Sequence, residues 1–88
     1  MKYRKRPVVI DAFRLGVDYM PDWFMDAVTD NRVTLRKNIH AYIETEADIE
    51  TPKGWRHANG GDFIIRGERG GIYPCKPDIF KMIYEAVE

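Results

Sequence analysis

The chain has one cysteine, Cys75, in 88 residues. No disulfide can form within it, so its stability has to come from packing. A lone thiol beside four methionines points to a reducing cytoplasm. Long hydrophobic runs are also missing: none approaches the roughly 20 residues that a membrane helix needs. Pro7 to Ile10 is too short an apolar stretch for a secretory leader, and none is predicted. An excess of either charge is absent as well. Lys+Arg and Asp+Glu are both 14, giving a formal net charge of zero, which argues against the basic footprint of a general nucleic-acid binder. With hydrophobic residues at 44%, the chain falls outside the disordered class, which is poor in apolar residues and strongly charged. There is no internal repeat, low-complexity tract or linker, so residues 1–88 are expected to form one domain.

The patterning that is present predicts an α+β fold, with a small, mainly antiparallel sheet and two short helices in the order β, α, β-hairpins, α. Val8 to Leu15 is β-branched and apolar enough for a strand that Gly16 ends. Pro21 to Val28 reads as a helix, with Phe24, Ala27 and Val28 at i, i+3, i+4, and Asp30-Asn31 stops it. Val33 and Leu35 mark a short strand. From residue 41 to 51 the chain alternates strictly. Ala41, Ile43, Thr45, Ala47, Ile49 and Thr51 take one parity, and Tyr42, Glu44, Glu46, Asp48 and Glu50 take an acidic outer one. Pro52-Lys53-Gly54 turns the chain, and Trp55 to Ala58 returns as the hairpin partner. Phe63 to Arg66 and Gly71 to Pro74 are further strands, joined by a tight turn over Gly67 to Gly70. Lys76 to Val87 is predicted as a closing helix, with Pro77 at its first position and Ile79, Ile83 and Val87 packed on the sheet. Both helices carry wide apolar stripes. Phe24, Phe80, Met82 and Tyr84 are the expected surplus, which predicts a homo-oligomer, a dimer or a dimer of dimers.

The segment Gly61-Asp62-Phe63-Ile64-Ile65-Arg66-Gly67, continuing through Tyr73-Pro74-Cys75-Lys76-Pro77-Asp78-Ile79-Phe80 to Tyr84-Glu85, resembles a family of small proteins encoded by phages and prophages. The opening, Lys2-Tyr3-Arg4-Lys5-Arg6-Pro7-Val8-Val9-Ile10-Asp11-Ala12-Phe13, is similar to the start of the same family, as is Ile49-Glu50-Thr51 before the Gly54 turn. Residues 16 to 48 lie outside the resemblance, and Gly60 stands where family members carry Pro. The resemblance implies a phage protein acting in the cytoplasm of an infected bacterial cell. It implies no reaction. The same residues also have an architectural reading, because Gly, Pro and Asp dominate turns for backbone reasons.

Several groups bear on chemistry. The glycines lack the G-x-G-x-x-G spacing, and no Gly-Lys-Ser or Gly-Lys-Thr is present, which excludes the common phosphate loops. Cys75 with His40 or His57 could form a nucleophile and base, with the helix start lowering the thiol pKa; the plainer reading is a small packing residue. Glu44, Glu46, Asp48 and Glu50 suit a hard cation but lack EF-hand spacing, so a solvated strand face is the expectation and no metal site is assigned. Lys2, Arg4, Lys5 and Arg6 read as a solvated terminus rather than a nucleic-acid contact.

Trp55, Arg56, Arg66, Arg69, Tyr73 and Lys76, with His57 and Phe63 nearby, form the richest set. Cationic forks beside aromatic plates suit a ligand that carries phosphate and a base. The expectation is therefore a non-enzymatic binding protein without cofactor or metal, a sponge for a nucleotide-type immune signal of the host. The alternative is a protein-interaction module that binds and inhibits a host protein, or a minor virion component. An enzyme is disfavoured because no nucleophile, metal set or acid–base pair stands out.

Overall fold

The alternation around Ala47 and Ile49 organises the molecule. In the computed structural model, which describes residues 1–3 and 8–87, that stretch is the longest strand. The elements are β1 (Asp11–Arg14), α1 (Asp22–Thr29), β2 (Val33–Lys37), β3 (Thr45–Thr51), β4 (Gly54–Ala58), β5 (Phe63–Arg66), β6 (Ile72–Cys75) and α2 (Pro77–Ile83). This is the expected α+β architecture, with its strands divided into two antiparallel sheets of three, β1-β5-β6 and β2-β3-β4. Arg4, Lys5 and Arg6, read as a solvated basic run, lie outside the described residues, as does Pro7.

One buried cluster draws on both sheets and on α1: Phe13, Leu15, Phe24, Ala27, Val33, Ala47, Ile49, Ala58, Ile64 and Ile72. Strand alternation explains the membership. Ala47 and Ile49 share the inner face of β3, and Glu46, Asp48 and Glu50 take the outer one. Phe13 pairs with Ile64 across β1 and β5, so both point to the same side. In α1, Phe24 and Ala27 are fully buried, at i and i+3. Phe24 is therefore core and not interface surplus. Phe13, Trp23 and Phe24 meet edge to face with ring centroids 4.9–6.2 Å apart, the geometry that the ring quadrupoles favour. Asn31 ends α1 in the left-handed region at φ 61°, which its short polar side chain tolerates.

Three element bounds need correction. Residues 41–44, expected within the alternating strand stretch, precede β3, which starts at Thr45. The first strand is shorter than predicted. It starts at Asp11, and Val8 and Val9 are exposed. The edge N–H of Arg14 is taken by the Asp18 carboxylate at 2.9 Å, which blunts one end of that edge. The closing helix is also shorter. It ends at Ile83, and Tyr84 is extended (φ −118°, ψ 150°). Ile79, Ile83 and Val87 are exposed and not packed on the sheet, Ile83 by 61%. The aromatic neighbours take the packing instead. Phe80 stacks on Phe63 at 3.8 Å with the planes 3° apart, and Tyr84 lies 5.0 Å from Phe80. A seven-residue helix has little stability of its own. It holds where these rings anchor it and stops where Tyr84 turns back onto Phe80.

Pro74 fits inside β6 because β6 is the edge strand of its sheet, where a residue without an N–H loses no ladder bond. Gly60 is required by close approach: a Cβ there would strike the carbonyl oxygen of Ile43.

These placements separate core from surface. Ile64→Ala should cost about 2–5 kcal/mol, and Ile83→Ala should stay within about 0.5 kcal/mol for the dilute monomer. Urea titration of both variants checks this; equal losses would put the α2 face inside the monomer core.

Candidate functional site

Strand alternation decides which of the sequence candidates meet. Arg56 pairs with Ile49, and Trp55 pairs with Glu50. Arg56 therefore lies on the inner side of β4, where the sheet gives out towards β6, and Trp55 lies on the outer acidic side. Arg56 and Tyr73 converge on a groove of about 420 Å3, lined by Thr51, Pro52, Lys53, Arg56, Tyr73 and Pro74. Lys53, a turn residue by sequence pattern, joins them. The turn that carries it is fixed by Thr51, whose hydroxyl oxygen accepts from the Lys53 N–H at 3.2 Å and whose hydroxyl donates to the Gly54 carbonyl at 2.6 Å. The two prolines stiffen the walls, since their φ angles are locked.

Among the described residues, neither Lys53 nor Arg56 has a carboxylate partner. The Arg56 guanidinium donates to the Trp55 carbonyl at 3.2 Å. Two solvated cations thus stand beside an apolar Tyr–Pro wall. Partial burial and the neighbouring Tyr84 raise the Tyr73 pKa above its ordinary 10.0, so the ring presents a neutral face and a phenol O–H at neutral pH. The groove can take an anion at one end and a flat ring against the other.

The other candidates are placed elsewhere. Arg66 reaches across to Asp11 at 2.6 Å and lies over the Trp23 ring at 5.4 Å, so it braces β1 and α1. Lys76 donates to Asp62 at 2.9 Å. Arg69 sits exposed in the β5–β6 turn. That turn borders the groove, because a Cβ on Gly71 would lie 3.6 Å from Pro52 Cγ.

Cys75 does not gain the acidity expected from its place before α2. Partial burial, then Asp62, then Asp78, push its thiol pKa up from 9.0. His57 is committed elsewhere, with Asp48 at 2.8 Å and Glu46 at 3.0 Å. Among the described residues no group of three His, Cys, Asp or Glu side chains could hold a metal ion, and no helix is long and apolar enough to cross a membrane.

By sequence pattern Asp62 is a turn residue, and its burial gives it a larger task. Among the described residues it is the buried charged one beside the core. Its Oδ2 accepts from the Asn59 N–H and from the Lys76 ammonium, both at 2.9 Å. The pair joins the turn before β5 to the residue before α2. Asp62→Ala leaves the Asn59 N–H without its partner and should cost about 1–3 kcal/mol. Thermal denaturation beside Lys76→Ala, a half-exposed partner expected to matter less, checks this; the reverse order would move the weight to the ammonium.

Comparison with protein families, curated proteins and solved structures finds no match for this chain, so the chemistry of the groove is read from its own residues.

Proposed function

We propose that the groove between the β3–β4 turn and β6 binds a small anionic ligand with an aromatic ring, of the nucleotide class. On this reading the protein is a non-enzymatic, phage-encoded sponge that acts in the cytoplasm of an infected bacterium and sequesters a nucleotide-type immune signal of the host. The observation that carries the reading is a pair of cations, Lys53 and Arg56, that have no carboxylate partner among the described residues and stand beside the Tyr73 and Pro74 wall. Free cations keep their full capacity for charge-assisted bonds to phosphate, whereas Arg66 and Lys76 would have to break existing pairs first. Arg69, on the bordering turn, can extend the positive rim. The phage setting comes from the sequence resemblance.

A second reading has its own observation. Ile79, Met82, Ile83 and Val87 are exposed, as are Val8 and Val9. A protein-interaction module that binds a host protein, or a small virion part, would use such a surface. The same surface suits self-association, which we propose as its first use.

Both readings can be tested. In a thermal-shift screen against linear and cyclic nucleotides, a bound ligand raises apparent stability by about 2.7 kcal/mol at a hundred times its Kd. Arg56→Ala should melt as wild type does without ligand and Tyr73→Ala somewhat lower; both should lose most of the shift, since one hydrogen bond to a charged group such as Arg56 contributes about 1.5–3 kcal/mol. Glu68→Ala, in the β5–β6 turn, should keep it. No shift with any nucleotide, together with a host protein retained in native mass spectrometry, would replace the sponge by the interaction module.

For assembly, sedimentation at micromolar concentration should give a mass above the 10.3 kDa of one chain, and Met82→Asp should return it to that mass. A wild-type protein that sediments as one chain would refute self-association.

A further inference from the structure

The outer face of the β2-β3-β4 sheet holds a side-chain cluster that the groove does not use. His57 projects from β4 between two carboxylates of β3. Its Nδ1 lies 2.8 Å from Asp48 Oδ1, and its Nε2 lies 3.0 Å from Glu46 Oε1 and 3.1 Å from Asn59 Oδ1. Both ring nitrogens therefore face acceptors. A neutral imidazole has a single N–H. Either neutral tautomer would turn a lone pair towards a carboxylate, Glu46 in one case and Asp48 in the other. Reorienting the Asn59 amide could relieve its own contact, but it cannot turn a carboxylate into a donor. The doubly protonated ring satisfies every contact.

The charges around the ring agree. From β2, Arg36 pairs with Asp48, and just past the end of β2 the neutral Asn38 amide donates to the second oxygen of Glu46 at 2.8 Å. From β3 come Glu46, Asp48 and, further along the same face, Glu50 opposite Trp55. With a neutral ring, Arg36 alone would balance Glu46 and Asp48. With an imidazolium, two cations meet two carboxylates. The ring is nearly half exposed, at 45%, so it can exchange its proton with solvent.

We propose that His57 is a protonation-dependent clamp across the β3–β4 hairpin, holding Glu46 and Asp48 while it is an imidazolium and releasing the outer strand once it is neutral. Arg56 is the adjacent residue of β4, so the clamp also steadies the strand that presents Arg56 to the groove. The direction of the pH response follows from the pairing. Hydrogen bonding to Asp48 raises the His57 pKa above its ordinary 6.5. Its contribution is therefore complete below about 6.5 and is lost as pH rises through the folded value. Hydrogen bonds from His57 and then Arg36 lower the Asp48 pKa from 3.8. That contribution is present above 3.8 and fades as pH falls through its folded value. The hairpin is tightest between those limits.

Ring nitrogen and proton shifts, followed by NMR titration on the full chain, test the clamp. At pH 6 both ring nitrogens of His57 should be protonated, and the titration midpoint should lie above that of an ordinary imidazole. Glu46→Gln and Asp48→Asn should each lower the midpoint. In thermal denaturation, the wild-type melting temperature should fall between pH 6 and pH 9 by more than that of His57→Gln. Parallel pH profiles for wild type and His57→Gln would overturn the clamp, and so would a midpoint indifferent to both carboxylate substitutions. The titrations decide the matter even if His57→Gln does not fold.

Discussion

Ile49 from one sheet and Ile64 and Ile72 from the other share one dry cluster, and the rest of the molecule is arranged to keep that contact closed. Two sheets of three strands have little surface to bury, and a chain of this length covers only roughly 60–65% of what it exposes when unfolded. Each inward residue therefore matters. Phe24 and Ala27 of α1 close one side of the cluster. The aromatic trio of Phe13, Trp23 and Phe24 extends it, and Arg66 lies over the outermost ring.

Charged residues do the joining where apolar surface runs out. Asp62 ties the turn before β5 to the entry of α2, and Arg66 ties β5 to β1 through Asp11. His57, Asp48 and Arg36 link all three strands of the other sheet on its outer face. Lys53 and Arg56 have no such duty among the described residues. That contrast separates candidate ligand groups from architectural ones better than residue type does, since Arg66 and Lys76 are equally cationic.

The outer face of the β1-β5-β6 sheet is less complete. Phe80 covers Phe63 and Tyr84 backs Phe80, yet the other side of α2 presents Ile79, Met82 and Ile83 to solvent. A seven-residue helix can bury one stripe of side chains, and its aromatics have taken that place. The aliphatic residues that the i, i+3, i+4, i+7 pattern marked for the core were left outside. Periodicity shows that a helix has an apolar side without showing which neighbour will cover it.

Local patterns in the chain are enough for the element order, the acidic outer face of β3, both helix starts and the tight turns. All of these follow from local rules: strand alternation, proline at helix entries, glycine where φ is positive. The sequence also makes residues 52–76 rich in cations and aromatics. Tertiary structure alone decided how those residues are shared out. Neighbours along a strand face opposite ways, which separated Trp55 from Arg56. Packing of one sheet against the other set β6 beside the β3–β4 turn, which brought Tyr73 to Arg56 and drew in Lys53. Burial of Asp62 committed Lys76, and the position of Asp11 committed Arg66. Pairings of that kind join residues far apart in the chain, and no local pattern encodes them.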